Sequence, residues 1–187
     1  MPIQLNYRGA AGVEDLGAFN ARSSITWKGE FLFRIYESNG QLYFIKVGSS
    51  KNANQVVAIQ FGLLGALIAH FASKRAEEKN QQRLNEFAGI PPEELIGREK
   101  VNHIVNLAEV SEPMLNPPSF WSGHSFGSWS FRNAKGKKKV YVFEDAANFQ
   151  AAARRLPEIF GNALKTNARW DEQKGKVVKV AAVASVA

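Results

Sequence analysis

The sequence predicts an α+β domain in which an antiparallel sheet and its helices occupy separate stretches of chain. Three observations carry that expectation. Apolar residues alternate with a period of two on both sides of Asn39-Gly40, and again on both sides of a lysine-rich turn at 133–137, which marks two hairpins. Residues 55–88 change to a helical period between them, and an amphipathic helix follows the second hairpin. The composition suits one packed domain of 187 residues, 45% hydrophobic and 11% aromatic, with 13 phenylalanines to fill a core.

Each element has its own reason. Residues 1–28 are weakly patterned and are expected as a packed lead-in, with "PIQLNY" a short strand and "VEDLGAFNA" a turn of helix. In "FLFRIYESNGQLYFIKV" (31–47), Asn39-Gly40 suits a two-residue type I′ turn, whose central positions both need positive φ. That register puts Phe31, Phe33, Ile35, Leu42 and Phe44 on one face. Leu32, Arg34, Tyr36, Tyr43, Ile45 and Val47 fall on the other, which is expected to be half covered. A long helix starts at Gln55 and stops near Gly89 and Pro91-Pro92. A short helix then opens on proline and acids in "PPEELIGRE".

"VNHIVNL" (101–107) alternates Val101, His103, Val105 and Leu107 against Asn102, Ile104 and Asn106. "AEVSEPML" is a further strand that Pro113 demotes to an edge or a bulge. After a proline-rich loop, "FGSWSFR" and "KVYVFE" form the second hairpin. The closing helix has Asp145 as N-cap and a stripe of Phe149, Ala152, Leu156, Ile159, Phe160, Ala163 and Leu164. Pro157 should kink or split it. Residues 166–187 are expected as a flexible tail.

Composition removes several chemistries. With no cysteine there are no disulfides, no thiol catalysis and no cysteine–zinc site. Three histidines and three aspartates leave little material for a metal cluster, so neither a metal nor a cofactor is expected. Residues 1–28 hold no basic start followed by an apolar run, so no signal peptide is expected and the location is taken as cytoplasmic, with peripheral membrane contact as the variant. The net charge of +7 admits anionic partners, although where the charge lies decides more than its total.

The stretch "GHSFG" (123–127) matches the G-x-S-x-G of serine hydrolases, with Ser125 as the nucleophile. That elbow needs a strand before it and a helix after it. Here Pro117-Pro118 precede it in a loop, a strand-like "SWSFR" follows, and no histidine lies downstream of His124. No catalytic residue is expected, and the hydrolase remains a distant third hypothesis.

The run Val56–Ala72 would be about 25 Å long as a helix, short of the ~30 Å hydrocarbon core, and it holds Gln60 and His70. Small residues at Ala58, Gly62, Gly65, Ala69, Ala72 and Ala76 share one face, which lets another backbone approach closely. A core helix packed on the sheet is the first reading, a homodimer contact the second, and membrane insertion the last.

Arg132, Lys135, Lys137, Lys138 and Lys139 place five cations in one turn with no acid among them, and Phe120-Trp121 follow two prolines in the loop before it. The first reading is a solubilising turn and a buried aromatic plug, the alternative being contact of both with an anionic lipid surface. Nucleic acid is not expected, because no helix-turn-helix, finger or RNP-type motif accompanies the basic turn.

"IPPEELIGREKVNHIVNLAEVSEPML" and then "GSWSFRNAKGKKKVYVFEDAANFQAAARRL" give an order that resembles the bacterial pleckstrin-homology-like (PH-like) domains over residues 29–165. The resemblance implies an antiparallel sheet bent into a partly closed barrel, plugged by the C-terminal helix, with residues 54–98 as a helical insertion after the first hairpin. It implies binding or scaffolding rather than catalysis, and it carries across no ligand residues beyond a generic lysine-rich turn. The expected function is a non-enzymatic interaction module that self-associates or docks a protein partner. Peripheral binding to anionic lipid is the alternative.

Overall fold

The computed structural model describes residues 18–25, 29–49, 74–119 and 125–180. Strands β1 (Phe19–Ile25), β2 (Gly29–Ser38) and β3 (Gln41–Ser49) form a meander. Helix α1 (74–87) and the short α2 (Pro92–Leu95) lead to β4 (His103–Asn106) and β5 (Ser111–Asn116). The hairpin β6 (Ser128–Arg132) and β7 (Lys138–Val142) precedes α3 (Ala146–Phe160). The two-residue β8 (Lys165–Thr166) and a separate hairpin, β9 (Ala168–Asp171) and β10 (Lys176–Lys179), end the described chain.

The main sheet has the order β4-β3-β2-β1-β7-β6-β5-β8, antiparallel throughout except for the β5–β8 pair. It is open, with β4 and β8 as its edges. It nevertheless bends so far that rings from its two halves meet: Phe44 on β3 stacks on Tyr141 of β7 at 4.8 Å and on Trp129 of β6 at 6.3 Å. Phe149, Ala152 and Leu156 of α3 complete this inner core, all fully buried. The molecule is therefore α+β, as the sequence predicts, with a large mixed sheet.

The first hairpin follows its pattern closely. Ser38 pairs with Gln41 across a two-residue loop, and Asn39 and Gly40 have φ of 52° and 73°. Phe33, Ile35, Leu42 and Phe44 line the inner core. The opposite face is more covered than expected. Leu32, Tyr36, Tyr43, Ile45 and Val47 are buried with Phe87 of α1 and Leu95 of α2 in a second core. The physical reason is that α1 and α2 lay Phe87 and Leu95 on the outer face of β2–β3, where each buried large side chain contributes roughly 1.5–3 kcal/mol. Gly48 permits the approach, because a Cβ there would overlap the side-chain amide of Asn80 on α1. Glu99 locks the same layer, 2.9 Å from Arg83 and 3.5 Å from Lys46.

Three expectations are corrected. The lead-in contains β1, a strand interior to the sheet that pairs with β2 along its whole length. Its inward residues are Phe19 and Ala21, and one small residue there weakens the alternation. Pro157 does not split α3, which runs through it and stops one turn later at Gly161. Proline has no N–H to offer the carbonyl four residues before it, yet the turn beyond it still closes, with Gly161 N donating to the Pro157 carbonyl. Residues 165–180 are not a tail. Ala168 and Val177 enter the inner core with Trp170 packed beside them, and Asn167 N donates to the Leu115 carbonyl at 2.9 Å.

Elsewhere the pattern holds. Asp145 caps α3 by accepting from Asn148 N at 2.8 Å. Pro113 sits at the irregularity in β5, between Ser111 and Met114, where Glu112 adopts φ of 50° and a missing N–H costs no ladder bond.

Candidate functional site: the lysine-tipped hairpin

Turn 133–137 is built by Asn133. Its Oδ1 accepts from Lys135 N at 3.2 Å and Lys137 N at 3.0 Å, while Gly136 N donates to the Asn133 carbonyl at 2.7 Å. Gly136, at φ of 70°, takes the left-handed position that a side chain would strain. The backbone is thus held by a polar side chain that points inward, and the lysines between are left pointing out.

Of the five expected cations, Arg132 is already engaged. It donates to Glu112 at 3.0 Å and to the Gly136 carbonyl at 2.9 Å, which ties the turn to the irregular end of β5. Lys135, Lys137, Lys138 and Lys139 are exposed, and none has a carboxylate partner among the described residues. Register separates their directions. Lys139 lies opposite Phe131, on the inner face, and Lys138 opposite Arg132, on the outer face. The tip is therefore cationic on both sides. A shallow depression lined by Glu112, Met114, Ser130, Phe131, Arg132 and Lys138 lies at its base.

The inner face below Lys139 holds a pair that the sequence pattern alone did not bring together. His103 on β4 stacks on Phe44 at 4.6 Å, with the rings 3° apart, and meets Phe33 edge-on at 5.5 Å. Its Nδ1 donates to the Val101 carbonyl at 3.0 Å, since a carbonyl can only accept. That leaves Nε2 bare to accept from the Tyr141 hydroxyl at 3.3 Å. Burial holds the imidazole below its ordinary pKa; the Val101 hydrogen bond opposes this and the charge of Lys139 adds to it. Burial also raises the Tyr141 hydroxyl well above its usual value. The signal available beforehand was the place of His103 among the apolar positions of "VNHIVNL". Nothing in the sequence named Tyr141 as its partner.

Other expected residues fall differently. Ser125 is exposed, and the motif runs straight into β6 rather than into a helix. Its last glycine has a backbone explanation: Gly127 has φ of 83°, and a Cβ on it would come within 2.5 Å of the Asn116 carbonyl. Phe120, Trp121, Gly123 and His124 lie outside the described residues, as do Ala58, Gly62, Gly65, Ala69 and Ala72. Ala76 lies on α1 and is half-buried. Among the described residues no helix is long and apolar enough to cross a membrane, and no cluster of His, Cys, Asp or Glu is suited to a metal ion.

Comparison of the chain with protein-family models, with curated proteins and with solved structures returns no match.

Proposed function

We propose that this protein is a non-enzymatic binding module of PH-like architecture whose lysine-tipped hairpin docks on anionic lipid headgroups. The strand order supports the architecture: β1 to β4 and β5 to β7 are two antiparallel runs joined through β1 and β7, and the helix after β7 fills the core between them. The observation that carries the binding reading is the set of four exposed lysines without carboxylate partners on a turn organised by Asn133. A solubilising turn needs neither that internal scaffold nor the clamp that Arg132 makes to β5.

Each lysine close to an anionic bilayer contributes about 1 kcal/mol, and the attraction fades beyond a Debye length of ~8 Å at physiological salt. Four acting together would bring roughly 4 kcal/mol, enough for reversible, salt-sensitive attachment. Self-association or docking of a protein partner through the small-residue face is the second reading; Ala76, the one residue of that face among those described, is half-buried on α1.

Vesicle sedimentation tests the proposal. Wild-type protein should pellet with vesicles containing phosphatidylglycerol and not with phosphatidylcholine alone, and added salt should release it. Changing Lys137, Lys138 and Lys139 together to glutamate should abolish pelleting while leaving the melting temperature near the parent's. A wild-type protein that ignores anionic vesicles at low salt would overturn it.

A further inference from the structure

We propose that anion binding at the lysine hairpin is coupled to protonation of His103, so that the hairpin holds an anionic surface more tightly once the imidazole carries a proton. This rests on the binding reading above and adds its regulation. The link is geometric. His103 Nε2 meets the Tyr141 hydroxyl, and Lys139 lies two residues before Tyr141 on the same face of β7. The imidazole and the innermost lysine of the hairpin therefore share one end of the inner core.

Among the described residues, the groups facing the imidazole come from four directions. β7 offers Tyr141 and Lys139, β2 the uncharged ring of Phe33, β3 the ring of Phe44, and the turn before β4 the Val101 carbonyl. Two residues along β3 from Phe44, Lys46 lies 3.5 Å from Glu99, which also pairs with Arg83. Lys139 is the charge that opposes a proton on His103. An anion that neutralises Lys139 removes that opposition and raises the affinity of His103 for its proton. Linkage is reciprocal, so a protonated His103 strengthens the anion site by the same factor.

Phosphatidylglycerol keeps its charge between pH 5 and pH 8, so a change in vesicle binding over that range reports on the protein. At constant ionic strength, partition of the wild type should rise about fivefold between pH 7.5 and pH 5.5. His103→Gln offers an acceptor to Tyr141 without a titratable ring and should flatten the profile. A rise of equal size in His103→Gln would overturn the coupling, since His70 or His124 would then be responsible. A flat wild-type profile with binding still sensitive to salt and to the lysine substitutions would overturn the coupling and leave the binding reading intact. No binding at either pH would overturn both. Should His103→Gln fail to fold, the His103 ring proton followed by NMR in the wild type decides the matter: its pKa should rise when inorganic sulfate is added, and an unchanged value overturns the coupling.

Discussion

At the scale of a residue, the clearest demand is at Gly48, where a missing side chain lets the Asn80 amide of α1 lie against the β3 backbone. Gly48→Ala should cost roughly 1–3 kcal/mol by overpacking. Removing the obstruction should return part of that loss, so the double variant Gly48→Ala with Asn80→Ala should be more stable than the sum of the single changes allows. Urea denaturation of the four proteins in the cycle measures the coupling, and additive losses would mean that the two positions do not press on each other. Gly127 shows a related demand with a different lesson. The match of "GHSFG" to a hydrolase motif has a local explanation in a left-handed backbone position close to the Asn116 carbonyl. Sequence context alone argues the same way, because the residues that follow alternate as a strand does.

At the scale of elements, the hairpins were legible because their turns name themselves. Asn39-Gly40 and the glycine of 133–137 sit between runs whose apolar residues recur every second position. β1 was obscure because Ala21 stands where a larger apolar residue would have declared the inner face, and Asn20, Arg22 and Ser23 share the strand. The β9–β10 hairpin was obscure for the opposite reason. Charged residues dominate "RWDEQKGKVVK", and only Trp170 and Val177 record that one side is covered. A four-residue turn still joins these strands, with Asp171 accepting from Lys174 N at 3.0 Å and Gly175 at φ of 56°. Val177→Asp would place a charge without a partner against Ala168 and the inner core. It should lower stability by several kcal/mol, read as a clear drop in melting temperature. A variant as stable as the parent would show that the hairpin is an ornament on the surface. Of the candidate site, the sequence disclosed the lysines by their crowding. It could not disclose which cation is occupied: the Arg132–Glu112 contact depends on the backbone irregularity at Pro113.

At the scale of the whole molecule, His103 bridges two parts of the bent sheet that are not hydrogen-bonded to each other, β4 and β7. Its pKa in the fold lies below the ordinary value near 6.5. The unfolded chain therefore takes up a proton first as the medium is acidified. The contribution of neutral His103 is fully present above about pH 6.5 and is lost as pH falls from there through the folded-state value. Melting temperatures from pH 8 to pH 5 should fall below pH 6.5 in the wild type and fall less in His103→Gln. Equal slopes for the two would remove His103 as the source. The bend has a further consequence for how the chain is made. The seam between the halves of the sheet is the Arg22–Val142 pairing of β1 with β7, two residues far apart in the chain. The β1–β2–β3 meander can form early from local contacts, yet the inner face of Phe19, Phe33, Ile35 and Phe44, which β4 covers in part with His103, gains Trp129, Tyr141 and Phe149 only when β6, β7 and α3 arrive. A nascent chain thus leaves the ribosome with this aromatic face only partly covered until its last third emerges, and that interval is when shielding by a chaperone would matter most.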